Sequence, residues 1–267
     1  MGENRMKIGV LYIAIGKYKV FWKDFFLSSE SLFIKEIDKH YFVFTDSEEL
    51  YAMENEKVFI VKQKDLGWPK NTLLRFAMFD SIRNQLSKFD YLFFFNANLV
   101  ILKEITTDFL PKDENLLVAL HPSYYLEKEV DRYPYCRNPK SKAYIAYGKG
   151  RYYAQGALNG GKTEAFLKLI EKLKMATEED LKRGIIADVH DESHLNHYIL
   201  NRDDVKIVGP QYIYPEGWIL NEEPIILSRD KEKYFNVDEL KKGKMGYVIK
   251  RFKRYVKIWI KGGRFYE

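Results

Sequence analysis

The sequence holds a single cysteine, Cys136, in 267 residues. No intrachain disulfide can therefore form, and no cysteine-based zinc cluster can be assembled. A reducing compartment is compatible with that usage. No run approaches the roughly 20 consecutive apolar residues that span a bilayer. The apolar stretch after Lys7 is short and soon interrupted, and it lacks the small-residue end of a secretory signal. Met1-Gly2 is followed by Met6, where N-myristoylation expects Ser or Thr. There is also no internal repeat and no low-complexity tract. What remains is a chain that is 46% hydrophobic, 31% charged and 16% aromatic, with 20 Tyr and 18 Phe. That supports a sizeable core and suits a site that holds flat rings or sugar faces.

Charge is distributed unevenly. Residues 241–267 carry ten Lys/Arg against one acid, Glu267, while residues 1–240 carry 34 basic and 37 acidic residues. The formal +6 of the chain thus combines a mildly acidic body with a strongly basic tail. Any general affinity for nucleic acid would have to come from the tail, and none is expected. From Met245 the tail becomes amphipathic: Val248, Ile249, Phe252, Val256, Trp259 and Ile260 follow helical spacing, with Lys and Arg between them. An apolar face with Trp and Phe beside a Lys/Arg face is the pattern of a helix lying in an anionic membrane interface. A docked C-terminal helix and a polyanion-binding tail are the alternatives. The expected organisation is a domain over residues 1–240 and an amphipathic tail over 241–267, in a cytoplasmic protein peripheral on the inner face of the membrane.

The body reads as α/β. Lys7 to Ile15, His40 to Thr45, Val58 to Val61, Leu92 to Phe95 and Leu116 to His121 are apolar runs of strand length. Helical patterns lie between several of them, which indicates a largely parallel sheet with helices on its faces. The run Tyr91-Leu92-Phe93-Phe94-Phe95 is apolar on both faces, as in the middle of such a sheet, and stops at Asn96-Ala97-Asn98. Ligands of open α/β sheets bind at the carboxyl ends of strands; the plainer reading is that the two amides turn the chain.

After Gly67-Trp68-Pro69, Asn71 or Thr72 is expected to cap a helix running to about Lys88, with Leu74, Met78, Ile82 and Leu86 as its buried stripe. Arg75 would then sit in the first turn, where the helix dipole disfavours a cation. A bound anion would remove that conflict, as would a salt bridge or water. The Tyr- and Pro-rich segment from Pro122 to Gly150 far exceeds the usual connector, so it reads as a lid or binding segment. In Tyr152 to Gly161 aromatics meet three glycines, which suit close ligand approach or a turn before a helix starting near Thr163. Asp188 is expected to cap a helix carrying Asp191, Glu192, His190 and His194. Position 191 is Asp where a His-Glu-x-x-His zinc motif needs Glu, which argues against zinc. Acids in a first helical turn are favoured electrostatically without any catalytic role. Ile225 to Leu227 reads as a last strand.

Taken together these motifs resemble glycosyltransferase family 6, the group that includes the blood-group A and B transferases and bacterial relatives. The resemblance runs from about Lys7 to Lys233. It is carried by Ile13-Ala14-Ile15-Gly16-Lys17-Tyr18, Gly67-Trp68-Pro69 with Thr72 and Arg75, the Tyr91 to Asn98 segment and His121-Pro122. Ser141 to Ile145, Tyr152 to Gly161 and His190 to Asn196 complete it, in order. It implies a GT-A fold and retaining α1,3 transfer of N-acetylgalactosamine (GalNAc) or galactose (Gal) from a UDP sugar to a β-galactose, often fucosylated at O2. By position it implies that Ile13, Ala14, Ile15 and Tyr18 hold uridine. Thr72, Arg75, Asn96, Ala97, Asn98, Ala154, Gln155, Gly156 and Asp191 serve the donor, and Lys231 closes over the diphosphate. His121, Glu192 and Glu216 face the acceptor, and Glu192 is the catalytic carboxylate.

Two departures qualify that pattern. Animal members carry Asp-x-Asp where this chain has Asn96 and Asn98. Neutral amides supply no charge to hold a divalent ion, so no metal cofactor is expected. Ala154-Gln155-Gly156 occupies the positions that distinguish an N-acetyl group from a hydroxyl. Gly156 leaves room and favours GalNAc; Gln155, where a small residue is common, favours Gal. The expectation is GalNAc, with a Gal-specific transferase and a non-catalytic UDP-sugar or glycan-binding protein as alternatives. Tyr133 to Asn138 departs from the usual Thr and Glu of the acceptor loop, which bears on the fucose requirement.

Overall fold

The computed structural model describes residues 6–237; the tail and its amphipathic pattern lie outside the described residues. In chain order the strands are β1 (Lys7–Ile13), β2 (Asp38–Thr45), β3 (Val58–Lys62), β4 (Tyr91–Phe95) and β5 (Leu99–Ile101), then β6 (Leu116–Leu120), β7 (Ala154–Lys162), β8 (Val205–Val208), β9 (Tyr214–Pro215) and β10 (Ile226–Ser228). The α-helices are α1 (Trp22–Leu32), α2 (Lys70–Leu73), α3 (Arg75–Asp80), α4 (Arg83–Leu86), α5 (Thr163–Lys182) and α6 (His190–Ile199).

Seven strands form the central sheet in the order β3-β2-β1-β4-β7-β6-β8, and β5, β10 and β9 form a small second sheet. All neighbours in the central sheet pair in parallel except β7, which is antiparallel to both β4 and β6. The sheet is therefore largely parallel, as expected. Its strands alternate between two cores, as a period of two requires. Val10, Tyr12, Phe93 and Phe95 pack on one face with α1 residues such as Trp22 and Phe25. Leu11, Leu92 and Phe94 pack on the other with Phe76 and Phe79 of α3, Phe166 and Ile170 of α5 and Leu195 of α6.

Several local expectations are corrected. The helix expected from Asn71 or Thr72 to Lys88 is broken into α2, α3 and α4, because Leu74 (φ −98°, ψ 11°) and Ile82 (φ −116°, ψ 21°) leave helical geometry. Neither Asn71 nor Thr72 caps it: Pro69 occupies the N-cap, and the Asn71 side-chain oxygen accepts from the Leu66 N–H at 2.9 Å. Asp188 does not cap α6 either. Val189 is the N-cap residue, and its N–H donates to Ser193 Oγ at 2.9 Å. The glycine-rich stretch, read as suiting ligand approach or a turn, forms no turn: it is β7, a strand between β4 and β6. Gly160 is needed there, since a Cβ would lie 2.3 Å from the Leu92 carbonyl oxygen. The segment from Pro122 to Gly150 is a packed wall with its own aromatic core of Tyr133 and Tyr135 against Tyr153. The Asp180 carboxylate at the end of α5 fastens it, accepting from the Ser141 hydroxyl at 2.6 Å and the Lys142 N–H at 2.8 Å.

Candidate active site

The chain leaves β1 for β2 and β3 on one side, then returns to place β4 on the other side of β1. That reversal opens a crevice at the carboxyl ends of β1 and β4, where open α/β sheets bind ligands. A cleft of about 310 Å³ lies there, within the range of small-molecule sites. It is floored by Ile13 and Ile15 at the end of β1 and by Phe94, Asn96 and Ala97 at the end of β4. Because β7 runs the opposite way, its first residues, Gln155 and Gly156, reach the same edge. The start of α6 adds Asp191 and Glu192.

Thus Ile13, Ile15, Tyr18, Thr72, Arg75, Asn96, Ala97, Gln155, Gly156, Asp191, Glu192 and Lys231 line one cleft. Five expected residues are not among its lining. Ala14 and Ala154 are fully buried. Asn98 is buried, with its amide donating to the Arg229 carbonyl oxygen and to Ser228 Oγ. The His121 ring packs on Tyr124 and Tyr153, and its Nδ1 accepts from the Ser123 N–H. The Glu216 carboxylate accepts from the Asp230 N–H and pairs with Lys233, both at 2.7 Å. Conversely, Lys17, Asp65, Trp68, Asn71 and His190 line the cleft, although the sequence marks none of them as a binding residue. The Trp68 and His190 rings meet edge to face at 5.4 Å, a contact between residues too distant in sequence for any local pattern to reveal.

The centre of the site is a buried charge network. Arg75 Nη2 pairs with Asp191 Oδ2 at 2.9 Å, with the two side chains only 5% and 4% exposed. Arg75 Nη1 donates to the Gly156 carbonyl oxygen at 2.7 Å, which Asn159 Nδ2 also reaches at 3.0 Å. The guanidinium lies over the Phe94 ring, 4.4 Å from its centroid. The anion that resolves the conflict at Arg75 is therefore a residue of this chain. Burial pushes the Asp191 carboxyl up, and Arg75 opposes that rise.

Beside this pair, Glu192 Oε1 accepts from the Tyr153 hydroxyl and Oε2 from the Gly156 N–H, each at 2.7 Å. Burial raises its carboxyl to about 7, against the pull of these two hydrogen bonds. Such a carboxylate, bordering a cleft and aimed by two donors, can face a developing cation. His194, on the same helix, is pushed down to about 4 by burial and stays neutral.

Lys231 Nζ stands 5.2 Å from the Tyr18 ring centroid, which places an ammonium over the aromatic end of the cleft. The two amides after β4 are engaged with each other, Asn96 Nδ2 donating to Asn98 Oδ1 at 3.0 Å. Among the described residues no group of three His, Cys, Asp or Glu could hold a metal. The donor chemistry at Asn96 and Asn98, two neutral amides with one oxygen already accepting, does not fit a divalent ion.

The sequence profile described as Glycosyltransferase family 6 matches residues 2–228. The chain belongs to glycosyltransferase family 6. It is 41% identical over 229 residues to the O-antigen biosynthesis glycosyltransferase WbnI of Escherichia coli, covering 85% of this chain and 96% of that relative. It is 28% identical over 221 residues to the human globoside alpha-1,3-N-acetylgalactosaminyltransferase 1, and 29% identical over 221 residues to the rat histo-blood group ABO system transferase 1. Each match covers 79% of this chain, which spans 62% of the length of these two animal relatives. Family membership makes the protein a hexosyltransferase with a nucleotide-sugar donor and a glycan acceptor. The large mixed sheet and its crevice agree with the GT-A-like fold expected from the sequence.

Proposed function

We propose that the protein is a retaining α1,3-glycosyltransferase. It moves GalNAc, with Gal as the alternative donor, from its UDP sugar to the 3-OH of a β-galactose acceptor, 2-fucosylated as in blood-group-like glycans, and does so without a metal. The observation that carries this reading is Glu192, held by Tyr153 and Gly156 in a cleft whose other end pairs Tyr18 with Lys231. Uracil lies against Ile13, Ile15 and Tyr18, and the diphosphate extends toward Lys231. The sugar then reaches the carboxylates of α6. As the bond from the anomeric carbon to the phosphate oxygen breaks, its electron pair leaves with UDP. Lys231 offsets that charge, and Glu192 faces the oxocarbenium-like carbon. The acceptor 3-oxygen then bonds to that carbon on the face UDP has left, and its hydroxyl proton passes to the departing phosphate oxygen of UDP.

Arg75, expected to serve the donor, does so in this scheme by fixing Asp191 and the Gly156 peptide against the sugar. Lack of metal dependence is supported by the amide pair at 96 and 98. The GalNAc preference is supported by Gly156: a Cβ there would lie 3.2 Å from Asp191 Oδ2 and 3.4 Å from Glu192, closing the space beside both carboxylates.

Release of UDP in EDTA, measured with UDP-GalNAc and UDP-Gal and with and without a 2-fucosylated galactoside, tests the scheme. Acceptor-dependent release is expected from UDP-GalNAc ahead of UDP-Gal. Activity that appears only on adding manganese would overturn the metal-free reading, and binding without turnover under every condition would overturn the enzyme. The charge contrast between body and tail supports a seat on the cytoplasmic face of an anionic membrane. Full-length protein should co-sediment with phosphatidylserine vesicles and a chain ending at residue 240 should not; equal binding of the two would end that proposal.

A further inference from the structure

Tyr153, one of the two donors to Glu192, also joins the two halves of the site. Its hydroxyl donates to Glu192 Oε1 at 2.7 Å, while the residue is 1% exposed and wedged into the wall formed by residues 122–150. There its ring meets His121 at 5.7 Å, Tyr124 at 5.5 Å and Tyr135 at 5.5 Å between ring centroids. A phenol locked on three sides has one direction in which to point its O–H. We infer that Tyr153 is a positioning residue for the transfer reaction: it holds the Glu192 carboxylate ionised and aimed into the cleft, and it ties that aim to the packing of the 122–150 wall.

The chemistry follows from which protonation state the bond serves. A carboxylate accepting from a phenol and a backbone N–H is stabilised as the anion, so losing one donor favours the acid. With a single donor left, Gly156 N–H, one carboxylate oxygen is also free to swing. The wall acts through the ring: His121 and Tyr124 follow directly on β6, and both press on Tyr153. The charged and titratable groups facing Glu192 are the Tyr153 hydroxyl, Asp191 on its own helix and Arg75 from α3. Lys17 and Lys231 border the same cleft. His190 borders it as well, and the contribution of these three groups is present equally in the variants below.

The inference rests on the proposed role of Glu192, so the test must separate the two. Steady-state transfer from UDP-GalNAc is measured against pH for the full chain, Tyr153→Phe and Glu192→Gln, with UDP affinity measured by calorimetry. Tyr153→Phe is expected to move the acid limb of kcat up by about one pH unit. That is about a tenfold loss below the limb, with the alkaline plateau largely kept and UDP affinity unchanged. A site-specific 3-fluorotyrosine at 153, which keeps the ring and strengthens the donor, is expected to move the limb the other way, and it serves if the phenylalanine variant folds poorly. An unmoved limb in both, with Glu192→Gln inactive, overturns the role of Tyr153 alone. Full activity of Glu192→Gln overturns the role of Glu192 and this inference with it.

Discussion

The side-chain amide of Asn98 donates to the backbone carbonyl oxygen of Arg229 at 2.7 Å, and the Arg229 N–H returns a bond to the Asn98 carbonyl at 2.9 Å. A second donation reaches Ser228 Oγ at 3.1 Å. This brace fixes the chain two residues before Lys231. An aspartate is nearly isosteric but has no proton to donate, so at this position amide and carboxylate are not interchangeable. The second amide of Asn-x-Asn is thus engaged in holding a lysine-bearing segment over the cleft. Asn98→Asp should leave the Arg229 carbonyl unsatisfied and set a carboxylate against it. A loss of about 1–3 kcal/mol is expected, or a melting point lower by roughly 2–10 °C, together with weaker UDP binding. Manganese should restore neither. A variant that melts normally and gains manganese stimulation would show that the brace is dispensable.

The Arg75–Asp191 pair allows a sharper separation of stability from activity. Removing one partner of a buried ion pair strands the other, at about 3–5 kcal/mol. Arg75→Ala should therefore unfold at markedly lower denaturant and lose transfer. The slot around the guanidinium is bounded by the Phe76 and Phe94 rings, which suits a flexible apolar side chain. The double variant Arg75→Met/Asp191→Leu should recover most of the stability and none of the activity. Denaturation curves beside UDP-release rates check this. Recovery of transfer in the double variant would mean that neither charge serves the donor sugar.

Legibility in the sequence differs element by element. β4 is legible because four consecutive large apolar residues have only a two-faced burial to satisfy, and the start of α5 at Thr163 agrees with the expected helix. β7 is not, since Gln155 to Gly161 has little intrinsic strand preference. Its Gly160 is explained by the backbone of β4 and its Gly161 by Asn115 and Leu116 at the start of β6, contacts no local window contains. The apolar stripe Met78, Ile82 and Leu86 is buried as expected, yet the chain reaches it through three short helices. Periodicity reports which side chains go inside, and it is silent on whether Leu74 and Ile82 keep helical angles. For the site, motif order brings twelve of the expected residues to one cleft. The partners of Arg75 and Glu192 stay hidden because Asp191, Gly156 and Tyr153 reach them only through the sheet's crossover.

Glu192 carries an opposite pH signature in stability and in catalysis. Its folded carboxyl lies at about 7, above the ordinary value of 4.5. The folded state therefore holds the proton more tightly than the unfolded one. Its contribution to stability is fully present below about pH 4.5 and is lost as pH rises through 7. In Glu192→Gln the amide oxygen can accept from Gly156 N–H while its NH2 donates to the Tyr153 oxygen, so only the phenol proton loses its acceptor. The glutamine variant should lose nearly all transfer yet melt at or above the wild-type temperature at about pH 8. That advantage should shrink as pH falls through 7 toward 4.5. A wild-type protein that is the more stable of the two at that alkaline pH would contradict the assigned shift.

Glu216 offers a test between two jobs for one carboxylate. The family resemblance has it face the acceptor, but it accepts from the Asp230 N–H, pairs with Lys233 and donates its own N–H to the Ser228 carbonyl at 2.9 Å. Those bonds all fall on the segment that carries Lys231. Hydrogen bonding to Lys233 and to the Asp230 backbone holds its carboxyl below the ordinary glutamate range, so it is charged at neutral pH. If bracing is its work, Glu216→Gln should weaken UDP binding and raise the KM for the UDP sugar about two- to tenfold, the cost of one charge-assisted bond that is partly exposed. The KM for the acceptor should hardly move. The reverse split, with acceptor KM raised and UDP affinity intact, would return Glu216 to the acceptor side. The brace at Asn98 and the one at Glu216 grip the same few residues from opposite sides. Combining Asn98→Ala with Glu216→Gln should therefore cost UDP affinity less than the two single losses added together, since the second loss acts on a segment already released.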